Sequence, residues 1–153
     1  MTPIADVLQP DHVLLNLSAK APSAAIEEVL AALEGDERVR DFAALRAAVH
    51  AQPAPAIAEN GVGICIAHGR TELVTSLVMS AGRSVKGIIF PKLSDPVKLV
   101  FVAGIPGAFT SEYLRIVGAI VRICRDKRQL DRLLSLKDPD RFVALLTSGE
   151  VKL

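Results

Sequence analysis

The run "PVKLVFVAG" (96–104) constrains this chain more than any other stretch. It is nearly continuous apolar sequence, rich in β-branched residues. A strand wetted on one face alternates apolar and polar side chains, whereas a strand covered on both faces has no such need. The run therefore predicts a strand buried on both sides, within one sheet carrying helices above and below it. "HVLLNLS" (12–18) reads as a further strand with Val13, Leu15 and Leu17 on one face. Pro22 and Ser23 open a helix whose Ile26, Val29, Leu30 and Leu33 recur at helical spacing, and Gly35 ends it. A second helix runs from Asp41 to Ala51, with Phe42, Leu45 and Val49 on one side, until the prolines of "QPAPAIAENG" break it. Residues 62–67 make a short strand with His68 at its exit. "LVTSLVMSA" (73–81) alternates, with Leu73, Leu77, Met79 and Ala81 facing one way, and "VKGIIF" (85–90) is a weaker strand or an extended connection.

The C-terminal third is helical. Thr110 or Ser111 caps a helix with the stripe Leu114, Val117, Val121 and Cys124. A shorter helix covers 127–135. Asp138 then caps a last one, with Pro139 at its first position, Phe142, Leu145 and Leu146 inward, and Gly149 at its end. The chain has 153 residues, which fits one α/β domain over 1–153. Half of the residues are hydrophobic and 4% aromatic, so the core should be aliphatic. The net charge of +1 argues against nucleic acid as a partner, because such binders carry a basic stripe. The longest apolar stretch, 99–109, contains Gly and Pro and falls short of the roughly 20 residues that span a bilayer, so no membrane insertion is expected. Residues 1–12 lack the basic and apolar regions of a leader. Cys65 and Cys124 are not paired in a CxxC and read as reduced, buried thiols of a cytoplasmic protein. Arg122, Arg125, Lys127, Arg128 and Arg132 read as a solvated face, and secondarily as a docking face for an acidic partner.

His68 is the residue to explain. Only two other histidines, His12 and His50, are present. Cys65 points to the other strand face, and no HxH, HExxH or paired-cysteine pattern occurs, so no metal is expected. There is no GxSxG elbow and no phosphate loop, and "GVG" (61–63) leads into a strand, which excludes a dinucleotide fingerprint and leaves no cofactor implied. Two readings stay open on the residues alone. His68 is either a histidine held by hydrogen bonds at a strand end or a covalent carrier. Neutral imidazole is a good nucleophile near pH 7. Gly69 would let the backbone approach an anion, and Arg70 and Thr71 would supply phosphate donors.

"GVGICIAHGRT" (61–71) resembles the active-site segment of the enzyme IIA domains of the bacterial phosphotransferase system, fructose/mannitol type, most like the nitrogen-regulatory group. Those segments read like GxGIAIPHGxT, matched here at Gly61, Gly63, Ile64, Ile66, His68, Gly69 and Thr71. "DPVKLVFVAGIP" (95–106) and "TSEYLRIVGAIVRICRDKRQLDRLL" (110–134) are similar to the family's later strand and helix, and coverage is nearly the whole chain. The resemblance implies a mixed β-sheet sandwiched between helices on both faces. It also implies a phosphoryl relay, in which a histidine phosphocarrier protein donates to His68 and a downstream protein acceptor or regulatory target follows. A free-standing domain of this kind fits nitrogen regulation or sugar transport. The alternatives are a degenerate, non-phosphorylated regulator that binds a partner, and an accessory domain in which His68 is a relic. The family's proline before the histidine is Ala67 here, its helix-end Arg-Glu pair falls on Gln52 and Pro53, its threonine on Ala58, and its second site histidine on Tyr113. On this resemblance Gln52 and Tyr113 join His68 at the site. A neutral amide and a phenol then stand where charged groups would offset phosphate.

Overall fold

The computed structural model describes residues 3–150. Residues 1, 2 and 151–153 of the expected single unit, with the start of the segment searched for a leader, lie outside the described residues. Strand β1 is Val13–Leu14, β2 Ala56–Glu59, β3 Val62–Arg70, β4 Val78–Ile88 and β5 Val97–Ile105. Helix α1 is Ile4–Val7, α2 Pro22–Ala31, α3 Phe42–His50, α4 Thr110–Arg125, α5 Lys127–Ser135 and α6 Pro139–Thr147. The strands form one sheet in the order β1-β4-β5-β3-β2. β1 with β4 and β3 with β5 are parallel, while β4 with β5 and β2 with β3 are antiparallel, so the sheet is mixed.

β5 is the central strand and is buried on both faces, as its apolar run requires. Leu99, Phe101, Ala103 and Ile105 pack into a core with α1, α4, α5 and α6. Val97, Val100 and Val102 pack into a second core with α2 and α3. β3 divides the same way, with Ile64 and Ile66 on the α4 side and Cys65 and Ala67 on the α3 side. Glycine lets α3 approach closely. A Cβ on Gly69 would lie 2.7 Å from the Val49 backbone nitrogen.

Several expectations need correction. The strand expected over 12–18 pairs only at Val13 and Leu14. Beyond them the Leu15 carbonyl accepts from the Arg83 guanidinium, and Leu17 crosses to the α2 side, so the three apolar residues do not share a face. The strands expected over 73–81 and 85–90 are largely one strand, β4, with a register shift between Arg83 and Ile88. Leu73 is exposed. The segment at Val74 makes an isolated bridge to Val39 instead of joining the sheet. After the prolines, Ala56–Glu59 is an edge strand, returned into β3 by Asn60 and Gly61, both at positive φ. Such pairs are the favoured tight hairpin turn. The Asn60 amide also donates to the Cys124 and Arg125 carbonyls at 2.9 and 3.0 Å, fastening the hairpin to the end of α4. His12 lies in a short helical turn beside Asp36 and is mostly buried.

On α4 the buried stripe is Tyr113, Ile116, Ile120 and Ile123, with Cys124 the one expected member that is fully buried. Leu114 is 61% exposed. Neither Thr110 nor Ser111 caps the helix, whose N-cap residue is Phe109 without a side-chain bond. The Asp41 and Asp138 caps form as expected, each accepting from a first-turn N–H.

Arg83 is buried at 7% exposure, and its guanidinium donates to the carbonyls of Leu15, Leu133 and Leu136 at 3.1, 3.0 and 2.6 Å. Two of these belong to the last turn and end of α5, where a cation is also favoured by the helix dipole.

Gly69→Ala should lower stability by about 1–3 kcal/mol, the usual cost of overpacking a filled interface. The check is a lower urea midpoint at unchanged slope.

Candidate functional site

His68 lies inside β3 and not beyond its end, because the strand continues through Arg70. The parallel pairing with β5 sets His68 beside Ala103 and Arg70 beside Ile105. Alternation then directs the His68 ring to the α4 side, where it is half-buried. Tyr113, in the first turn of α4, meets it with ring centroids 5.3 Å apart and planes inclined by 44°. The Tyr113 Oη is 3.4 Å from His68 Nδ1. Nε2 has no hydrogen-bond partner among the described residues and is not fully buried. A small neighbour, Ala103, leaves the ring uncrowded from β5.

Arg70 is exposed and shares His68's side of the strand by alternation. Its Nη1 donates to the Thr110 hydroxyl at 2.7 Å. The Gly107 N–H just before α4 donates to Glu72 Oε1 at 2.7 Å. His68, Tyr113 and Arg70 are thus brought together, with Thr110 and Glu72 as neighbours that the sequence reading did not assign to the site. Thr110 had a signal of a different kind, since it stands at a cap position and its hydroxyl is used otherwise.

The remaining candidates sit differently. Gly69 is filled on its Cα side by α3, so helix packing already accounts for a glycine there. Thr71 is engaged in the turn after β3, its N–H donating to the Ile105 carbonyl and its Oγ1 accepting from Leu73. Gln52 is exposed and lines a separate groove of about 450 Å³ on the α2–α3 side, with Val49, Pro53 and Phe90. Ala58 is on the edge strand β2. Among the described residues no three His, Cys, Asp or Glu side chains converge to hold a metal.

Electrostatics favour a neutral site. Burial, and then the Arg70 charge, hold the His68 imidazole below its ordinary value. Burial pushes the Tyr113 phenol up to about 12, so it stays protonated. Cys65 and Cys124 are fully buried in opposite cores, and burial raises each thiol to about 12. Neither is a nucleophile in the folded protein.

Two outcomes follow from these shifts. Folded His68 binds its proton more weakly than the unfolded chain does, so its neutral form adds stability above the unfolded value of about 6.5. That contribution is lost as pH falls through the window below it. An NMR titration should therefore show a His68 midpoint below the unfolded reference, moving up in Arg70→Gln, and a midpoint at or above the reference would contradict the picture. A bulky maleimide should label neither cysteine without denaturant, and rapid labelling of the native protein would contradict their placement.

Comparison with known proteins identifies the family. The family described as phosphoenolpyruvate-dependent sugar phosphotransferase system, EIIA 2, matches residues 6–149. The fructose-specific EIIA component of Haloferax volcanii is 28% identical over 135 residues, covering 88% of this chain and 88% of that protein. The nitrogen regulatory protein IIA-Ntr of Neisseria meningitidis superposes with a TM-score of 0.81 at 22% identity, over 94% of this chain and 98% of that one. Enzyme IIA of the mannitol system of Escherichia coli, in complex with phosphorylated enzyme IIB, superposes at 0.68 with 16% identity, over 90% of this chain and 95% of that one. At these identities the solved structures speak for the fold. The family match carries the assignment, and the chain belongs to the EIIA 2 family of phosphoryl-carrier domains of the phosphotransferase system.

Proposed function

We propose that His68 is the residue that carries the phosphoryl group and that its Nε2 is the accepting atom. The observation behind this reading is the asymmetry of the ring, with Nδ1 against the Tyr113 hydroxyl at 3.4 Å and Nε2 without a partner among the described residues. For Nε2 to hold a lone pair, Nδ1 must carry the proton, and Tyr113 is then its acceptor. The donor is a histidine phosphocarrier protein. Its N–P bond breaks as the new bond to His68 Nε2 forms. The donor imidazole is protonated at its other nitrogen and leaves neutral. His68 keeps its Nδ1 proton and gains the phosphoryl group, so protons and charge balance. In such a transfer the protein contributes mainly position and electrostatics. Arg70 is the cation placed for the phosphoryl oxygens, and Gly69 and Thr71 flank the strand end. The acceptor is a downstream enzyme IIB-type domain or a regulatory target, in a cytoplasmic relay.

A neutral phenol, Tyr113, as the neighbour of His68 makes this a weak acceptor. Loss of one preorganised donor costs about 10²–10³ in rate in other enzymes. Gln52 lines a groove on the other layer, which favours a second reading: a member of the family that binds a partner without being phosphorylated.

Phosphoenolpyruvate with the general phosphocarriers should add one acid-labile phosphate to the parent and none to His68→Ala. Tyr113→His with Gln52→Arg should speed uptake by up to about 10²-fold through the histidine, since position 52 lies in the separate groove. Equal rates in parent and double variant would show that Arg70 and Tyr113 already fill the lost roles. No uptake in either would leave the partner-binding reading.

A further inference from the structure

Arg70 is held in an unusual way. Among the described residues no carboxylate pairs with it, and its partner is a neutral hydroxyl, Thr110 Oγ1, at 2.7 Å. That hydroxyl in turn donates to the Gly107 carbonyl at 3.4 Å. The same turn is fastened from its other side by Glu72, which accepts the Gly107 N–H. The end of β3 and the start of α4 are therefore joined through one exposed arginine resting on one threonine. Arg70 stands two residues beyond His68 on the same strand face, a spacing of roughly 7 Å that an extended arginine side chain spans.

We propose that Arg70 and Thr110 form a latch that is closed in the free protein and opens when His68 is phosphorylated. The inference rests on His68 being the acceptor. A phosphoryl group on Nε2 offers anionic oxygens to the guanidinium, and a charge-assisted, bidentate contact is roughly twice as strong as a bond to a neutral hydroxyl. Arg70 leaves Thr110 for the phosphoryl oxygens. Thr110 keeps only the Gly107 carbonyl, and Glu72 becomes the remaining tether of the turn. No covalent step is added to the transfer described above. The segment 107–112 then loosens in the phosphorylated state. It contains the exposed Ala108 and adjoins the exposed Leu114, so a partner reading this face meets a different surface in each state. Thr110 is a positioning residue here and touches no reacting atom.

The test is hydrogen exchange at amides 107–112, with and without phosphate on His68. Phosphate is introduced in parallel by the phosphocarrier proteins and by phosphoramidate, a small chemical donor that needs no partner. In the parent, exchange should rise about 2- to 10-fold on phosphorylation, the size of one neutral hydrogen bond lost. Thr110→Ser should keep that response. Thr110→Val and Arg70→Gln should exchange faster at the outset and respond no further. The Arg70 Nε–H resonance of the parent gives a reading free of any variant, and it should shift on phosphorylation. Phosphate uptake with unchanged exchange and an unmoved Arg70 resonance overturns the latch and leaves the carrier reading intact, as does an undiminished response in Thr110→Val. Uptake from neither donor overturns both.

Discussion

The central strand is the constraint on which the rest of this structure depends. Once β5 is apolar on both faces, two helical layers are required, and each neighbouring strand must send alternate residues to a different core. β3 inherits that rule through its parallel pairing. Its odd residues, Cys65 and Ala67, go to α2 and α3, and its even residues go to α4. His68 falls on the even side, at the end of the strand where the α4 core gives way to solvent. Shifting the register by one residue would turn His68 into the α3 layer and Gly69 toward Tyr113. The chemistry of the site is thus a by-product of where the alternation runs out.

The site is sparing in charge. A half-buried imidazole beside an arginine is kept neutral, which is the nucleophilic form, and the phenol next to it cannot ionise near neutral pH. A second histidine in Tyr113's place could carry a positive charge, whereas a phenol offers only a neutral hydroxyl. The charge felt by His68 comes from Arg70 on the same strand.

Much of the architecture was legible because single residues carried strong physical signals. Asp41 and Asp138 announced two helix starts, Pro22 a third, and the 96–104 run announced the core strand. Tyr113 lies against His68, and Arg70 shares the His68 side of the strand. What was misread had competing signals. α4 carries two apolar stripes, and Leu114, Val117 and Val121 are as regular as Tyr113, Ile116 and Ile120. Only the presence of β3 and β5 decides which one turns inward. The edge strand β2 was hidden by Pro53 and Pro55, although Asn60–Gly61 marked the hairpin. Thr110 looked like a cap because nothing in the sequence says that an arginine some forty residues earlier will occupy its hydroxyl. Gln52 was aligned to the site by position, but its side chain follows the groove behind α3.

Arg83 ties together parts of the chain that sequence separates widely. One guanidinium satisfies a carbonyl just after β1 and two at the end of α5. Neither segment can swing away without exposing an unpaired cation or orphaned carbonyls to a largely apolar interior. Their opening is therefore joint. In the language of native-state fluctuations, the first strand and the last helices belong to one cooperative unit, although β1 itself contributes only two paired residues. Glu150 extends the same unit, since it accepts the Ile4 N–H and pairs with Arg115. The two ends of the described chain therefore share their stability with α4, the same helix that carries Tyr113 to His68.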